Sequence, residues 1–287
     1  MTIKMIKKIL FYILITFSLS TLYSTIARAN ISSSHENRII SLGGSITEII
    51  YALNQEKYLV GVDSSSIYPQ QAMQLPQVGY YRALPIEGII SLNPNMVLVS
   101  EQAGPKKTID NLKNLGLSIY TIADSPSIEV IYTRIKQISQ LLNASEQGEE
   151  LINKVKQDIL SAQALPGKAL KTVLLINRTG ALMAAGKHTA ADEIMKSAGV
   201  ENIFAHQQGY KPVSAENLAN IEPELIIVTE FSAKASGGIE KIKSHPAIIN
   251  SPAAKNNRII ILDDLLAMGL GPRTGEAIRQ IKTATNL

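Results

Sequence analysis

The sequence predicts an α/β protein built as two similar lobes joined by one long helix. Three observations lead there. Short apolar runs alternate with helical periodicity from Arg38 onward. A long helical stretch interrupts that alternation near the middle, and a helix–turn–strand pattern recurs 129 residues apart. Strands separated by helices pair as parallel sheets with crossover helices packed on their faces.

The elements follow in order. Arg38-Ile39-Ile40-Ser41-Leu42 has the length and unbroken apolarity of a buried strand. Gly43-Gly44-Ser45 turns the chain into a helix beginning near Ile46, with Ile46, Ile49, Ile50 and Leu53 on one face. Further strand-like runs lie at residues 58–62, 96–100 and 118–122, and later at 172–176, 225–229 and 258–262. Between the two sets, Asp124-Ser125-Pro126 opens a helix striped by Ile128, Ile131, Ile135, Ile138 and Leu142. After Asn143-Ala144-Ser145 a second helix runs from about Glu146 to Ala164, with Leu151, Val155, Ile159 and Leu160 along one side, and Pro166-Gly167 stops it. About 19 residues rising 1.5 Å each span about 28 Å, enough to bridge two lobes. An ordinary surface helix of a single sheet would carry the same stripe, and the repeat decides between them.

That repeat aligns the segment from Pro85 to Glu101 with the segment from Ser214 to Glu230. Glu87 falls on Glu216, Pro94 on Pro223 and Glu101 on Glu230, with apolar matches at 89/218, 92/221 and 96–99/225–228. Each copy reads as a short helix, a proline-marked turn and a buried strand. Two copies at this spacing are too few and too far apart for a solenoid. The expected organisation is a first lobe over 30–143, a linking helix over 144–166 and a second lobe over 167–287.

Residues 1–29 read as a cleaved secretory signal. Lys4, Lys7 and Lys8 form a positive start, an apolar run extends to about Ile26, and Ala27-Arg28-Ala29 places small residues at a cleavage site. A retained anchor would use the same run, but the small-x-small site that ends it favours cleavage. This leader holds four of the 28 Lys and Arg and no acid, leaving 24 bases against 24 acids in the mature chain. The basic pI thus belongs largely to the leader, and no global field remains that would draw nucleic acid. The absence of cysteine excludes disulfides, thiolate metal sites and an N-terminal lipidated cysteine. A soluble protein of the periplasm is the expected setting.

Ten of the fourteen aromatics are tyrosines, whose oxygen can reach a metal. Just ahead of each repeat lies a Gly-Tyr-basic element, Gly79-Tyr80-Tyr81-Arg82 in the first lobe and Gly209-Tyr210-Lys211-Pro212 in the second. In both, a loop is expected to lead into the short helix and set its tyrosine at a sheet edge, where open α/β sheets bind ligands. Two such edges facing each other would make a cleft with a tyrosine and a cation on each wall. A phenolate is a hard donor suited to ferric iron and is a known haem ligand. Arg82 could steady a phenolate or fork a propionate, and Lys211, Lys187 and Arg178 are further propionate candidates. Ordinary surface tyrosines and solvated cations are the plainer alternative for each residue taken singly.

These residues carry a family resemblance. Val60-Gly61-Val62-Asp63, the run from Leu75 through Gly79-Tyr80-Tyr81-Arg82 to Leu84, and Glu87-Gly88-Ile89 resemble haem-binding periplasmic proteins of bacterial ABC importers. So do Ala185 to Asp192, Gly209-Tyr210-Lys211-Pro212, and Leu266 to Thr274. The resemblance covers essentially the whole mature chain. It implies the fold of a class III periplasmic binding protein, two Rossmann-like lobes on one rigid helix, with transported haem as the ligand. It implies Tyr80 as the axial ligand of the haem iron, with Arg82 beside it; Tyr81, Tyr210, Lys211 and His188 are the further candidates for the cleft. Many relatives have Met where this chain has Tyr81.

The same resemblance gives Glu87 and Glu216 a role in docking onto the two subunits of an inner-membrane ABC permease dimer. Charge pairs at such an interface chiefly set orientation and partner choice. A carboxylate in the first turn of each short helix also suits the helix dipole, and both roles can hold together. An outer-membrane haem receptor is a candidate source of the ligand. Four histidines occur, His35, His188, His206 and His245. Some members hold two stacked haems and use a second-lobe histidine, a part for which His188 and His206 stand, although a plain loop histidine is the simpler reading of each.

An enzyme is not expected: no dinucleotide glycine motif follows a strand, and no P-loop, HExxH or nucleophile elbow is present. Another cargo on the same fold, cobalamin or a ferric siderophore, is the competing reading, since fold alone does not choose a ligand. Scattered histidines argue against a bare metal ion.

Overall fold

The computed structural model describes residues 37–177 and 181–287. The signal segment 1–29, His35 and Arg178 lie outside the described residues. From Arg38 to Leu287 the chain forms one compact unit, whose described strands make two sheets.

The first sheet has the order β2-β1-β3-β4, with β1 Ile39–Leu42, β2 Leu59–Val62, β3 Met96–Ser100 and β4 Ser118–Ile122. Each neighbouring pair is parallel. All four residues of β1 are buried, as befits a central strand covered on both faces. The second sheet has the order β10-β9-β5-β6-β8, with β5 Lys171–Asn177, β6 Leu182–Ala185, β8 Tyr210–Pro212, β9 Leu225–Thr229 and β10 Ile259–Leu262. Here β10, β9 and β5 are parallel, whereas β6 runs antiparallel to both β5 and β8. A two-residue strand, β7 Glu201–Asn202, joins β5.

Helix α1, Gly44–Ala52, follows β1, and α2, Ile86–Ile90, leads into β3; α3 is Lys106–Asn114. The central pair is α4, Glu129–Leu141, and α5, Ser145–Gln163, and the latter leads in sequence from the first sheet to the second. The second half adds α6 Ala190–Ser197, α7 Ala215–Ile221, α8 Glu230–Ala235, α9 Ile239–Lys243, α10 Pro252–Lys255, α11 Asp264–Met268 and α12 Thr274–Thr285. The α2–β3 and α7–β9 units are the two copies of the sequence repeat.

Alternation along the strands explains how the lobes meet. Ile39 and Leu98 of the first sheet, and Leu174 and Ile227 of the second, point into one continuous apolar core with residues of α1, α4, α5, α6 and α12. Their strand neighbours point the other way: Ile40, Val97 and Val99 face a core private to the first lobe, and Val173, Ile226 and Val228 face one private to the second. Period-two side-chain direction thus divides each sheet between a private and a shared face.

Polar contacts reinforce the shared face. Ser45 Oγ donates to the Gly269 carbonyl at 2.6 Å. Buried Arg134 on α4 donates to the Gly269 and Leu270 carbonyls at 3.0 and 2.9 Å and pairs with Asp124. Glu48 on α1, only 4% exposed, accepts from the Arg273 backbone N–H at 3.1 Å and from its Nε at 3.3 Å. Arg273 also reaches Asp263 and lies 3.4 Å over the Tyr68 ring.

Candidate functional site

In a parallel sheet every strand delivers the chain to the same edge, so residues just past strand ends gather there. Asp63 follows β2 directly and is fully buried. Its carboxylate accepts from the Gly43 N–H at 3.0 Å, the Ser65 N–H at 3.1 Å, the Ser65 and Ser66 hydroxyls, and the Tyr81 N–H at 3.3 Å. One side chain therefore ties the end of β1, the end of β2 and the tyrosine loop together. A buried carboxylate is tolerable only when its lone pairs are satisfied in this way.

The loop itself is short and constrained. Val78 N–H donates to the Val62 carbonyl, and the Gly79 carbonyl accepts from Ser64 N–H at 2.8 Å. Gly79 adopts φ +98°, and a Cβ there would lie 2.7 Å from Pro85, so this position requires glycine. Tyr80 pairs with Ala83 in an isolated bridge that reverses the chain.

Tyr80 and Tyr81 meet edge to face with ring centroids 5.0 Å apart. Arg82 donates from Nε to the Tyr81 hydroxyl at 2.9 Å and from Nη2 to Gln102, and its guanidinium lies 5.2 Å over the Tyr81 ring. Gln102 stands two residues past β3 and donates to the Asp124 carbonyl, two residues past β4, at 3.0 Å. Burial pushes the Tyr81 phenol up to about 12, although Arg82 pulls the other way. Tyr80, Tyr81 and Arg82 are therefore brought together at the carboxyl edge of the first sheet, where α/β sheets bind ligands. The cluster offers phenol oxygens, two aromatic rings and an exposed cation.

Tyr210 has a different setting. The sequence expects a loop there, but Tyr210 opens the edge strand β8, pairing with Ala185, while Lys211 pairs with Ala184. Its ring is partly buried against the shared core. Lys211 is exposed. The loop holding Lys187 and His188 lies alongside, because Gly209 N–H donates to the Lys187 carbonyl and Lys187 N–H to the Gln207 carbonyl. His188 is exposed and has φ +60° at the entrance to α6, where Thr189 caps the helix by accepting from Asp192 N–H. His206 is exposed and leans on Phe204 with ring centroids 5.8 Å apart. His245 lines a separate cavity of about 250 Å³ in the second lobe with Asn177, Ser232, Ser236 and Lys241.

Glu87 and Glu216 are exposed and occupy the first turns of α2 and α7. Ser214 caps α7, accepting from Asn217 N–H at 3.1 Å; α2 starts after Pro85 without a side-chain cap. The two glutamates therefore hold matching places in the repeat.

A family model described as periplasmic binding protein matches residues 39–266. The chain belongs to that family. Its members are substrate-binding proteins of transport, which sets this periplasmic binding protein apart from enzymes of similar α/β architecture. Among the described residues no helix is long and apolar enough to cross a membrane.

Solved structures extend the comparison. The periplasmic heme-binding protein RhuT from Roseiflexus sp. RS-1 is 35% identical, with a TM-score of 0.81 over 87% of this chain and 98% of that one. The periplasmic heme-binding protein HutB of Vibrio cholerae is 31% identical, with a TM-score of 0.77 over 86% and 98%. A curated relative, the vitamin B12-binding protein of Vibrio parahaemolyticus, is 27% identical over 85% of this chain and 87% of its own length. The two-lobed class III architecture expected from the sequence is the fold of these neighbours.

Several structural residues escaped the reading of the sequence. Asp63 was visible only as the last residue of Val60-Gly61-Val62-Asp63, yet Asp-Ser-Ser-Ser directly after a strand is a turn signal in its own right. Gln102, Arg134 and Glu48 carried no local signal, because partners that hold them lie far away along the chain.

Proposed function

We propose that this protein captures ferric haem in the periplasm and delivers it to an inner-membrane ABC permease. The observation that carries the proposal is the Tyr80–Tyr81–Arg82 cluster at the carboxyl edge of the first sheet. Two solved neighbours above 30% identity are heme-binding proteins, which supports the same reading.

Within the cluster, Tyr80 is the iron ligand. Tyr81 is the worse candidate, because burial disfavours its phenolate by more than the Arg82 hydrogen bond favours it. It acts instead as a brace that holds the Tyr80 ring edge to face, while Arg82 and Lys211 serve the propionates. Tyr210 and His188 line the second wall. Glu87 and Glu216 dock onto the two permease subunits, their matched positions in the repeat suiting a symmetric dimer.

Titrating the purified protein with ferric haem tests this. A saturable Soret shift of the high-spin, oxygen-ligated type is expected, and Tyr80→Ala should remove it. No saturable change in the wild type overturns the haem reading. Loss on Tyr81→Ala with retention on Tyr80→Ala reassigns the ligand. The Glu87→Ala, Glu216→Ala double variant should bind haem normally and fail in transport; loss of haem binding would make these cleft residues.

A corrinoid is the second reading, favoured by the curated relatives named vitamin B12-binding protein. Cyanocobalamin titration by calorimetry separates the two. Binding of cyanocobalamin with no haem response would select it.

A further inference from the structure

Two phenylalanines lie among the described residues, and they have opposite fates. Phe204 is 1% exposed in the second lobe's core, whereas Phe231 is 58% exposed. A single exposed aromatic residue needs no explanation by itself; the place of Phe231 does.

Phe231 stands two residues past the end of β9, and Asp264 two residues past the end of β10. The first lobe has the same corner. Gln102 stands two residues past β3 and 129 positions before Phe231, and Asp124 stands two residues past β4. Both corners are laced laterally: Gln102 donates to the Asp124 carbonyl, and Phe231 N–H donates to Asp264 Oδ2 at 2.8 Å. In the first lobe the corner carries the polar partner of Arg82. In the second it holds a phenyl ring out to solvent on a pinned backbone.

Contacts across the lobe junction run between the two corners. Leu265, next to Asp264, packs so closely on Gly44 that a Cβ there would lie 2.6 Å from Leu265 Cδ1 and 2.4 Å from the Ser65 carbonyl. Ser65 and the Tyr81 N–H share the carboxylate of Asp63. Thus a few contacts link the Phe231 corner to the Tyr80–Arg82 cluster across the lobe junction.

We propose that Phe231 is the apolar platform of the second wall, packing its ring on the face of a flat macrocyclic ligand held from the other side by Tyr80. This rests on the haem reading and adds to it the residue that selects for an extended apolar face. A phenyl ring already fixed at its backbone loses little freedom on stacking, and burying it removes apolar surface from water.

Wild type, Phe231→Ala, Phe231→Leu and Phe231→Tyr are titrated with ferric haem by Soret absorbance, with circular dichroism as a check on folding. Phe231→Ala should bind on the order of tenfold more weakly with the Soret position unchanged, because the iron ligand remains. Phe231→Tyr should stay within about threefold of wild type, with Phe231→Leu between the two. A folded Phe231→Ala that binds as tightly as wild type overturns the platform and leaves the haem reading standing. A wild type that does not respond to haem overturns that reading instead, and the series is repeated with cyanocobalamin. A tenfold loss there in Phe231→Ala preserves the platform for a corrin, and no loss, or no binding at all, overturns it.

Discussion

The two Gly-Tyr-basic elements look alike in sequence and are built differently in space. Tyr80 stands in a loop at the carboxyl edge of a parallel sheet, and the buried Asp63 pins that loop at the next residue, Tyr81. Tyr210 stands inside an antiparallel edge strand with its ring against the shared core. The helix–strand units that follow them, α2–β3 and α7–β9, do correspond. Duplication thus persists where packing demands it and lapses at the loops. A buried strand must keep its apolar pattern, while a loop that bears a side chain toward solvent is free to be rebuilt.

The contrast can be broken most severely at Asp63. Asp63→Ala strands several donors in a buried corner and should cost about 3 kcal/mol or more in urea unfolding. Lys211→Ala, on the exposed second element, should stay within about 0.5 kcal/mol. A loss below about 1 kcal/mol for Asp63→Ala would show that the first loop is not held as described.

Next in size is the oxygen itself. Tyr80→Phe, which keeps the ring and deletes the hydroxyl, should weaken haem binding by about a hundredfold, or about 2.7 kcal/mol. Tyr210→Phe should change it less than about threefold. Equal losses at both positions would restore the symmetric cleft suggested by the sequence.

A smaller effect tests the joint between the lobes. Burial raises the Glu48 carboxyl from 4.5 to about 7, against the pull of Arg273. Between these values the unfolded carboxyl is ionised while the folded one still holds its proton. The unfolded state then binds fewer protons, so stability falls as pH rises from about 4.5 to about 7. The decline should be on the order of 1–3 kcal/mol in urea unfolding at successive pH values, and Glu48→Gln should flatten it. A wild-type profile as flat as that of Glu48→Gln would remove Glu48 as the source. Smallest of all, Phe231→Tyr should leave urea unfolding within about 0.5 kcal/mol of wild type, since the ring is exposed.

Much of this was legible along the chain. The strands at residues 96–100, 118–122 and 225–229 coincide with those observed, and the helix expected from about Glu146 to Ala164 is observed as Ser145–Gln163. These elements are buried or strongly amphipathic, so their hydrophobic period reports them directly. The strands β6 and β8 were not legible. Leu182–Ala185 and Tyr210–Pro212 are short, and their identity as strands comes from pairing with β5 and with each other.

By itself, then, the sequence determined the α/β class, the duplication, and the Tyr80-Tyr81-Arg82 string with its phenol oxygens and its cation. Those properties reside in local period and residue chemistry. Only the tertiary structure decided that Tyr80 and Tyr210 are not equivalent, that Asp63 anchors the loop of the first through Tyr81 N–H, and that the lobes share one core through Ile39, Leu98, Leu174 and Ile227. Each of these depends on residues far apart in the chain being brought to the same place, and no local pattern encodes which distant carbonyl or carboxylate a side chain will meet.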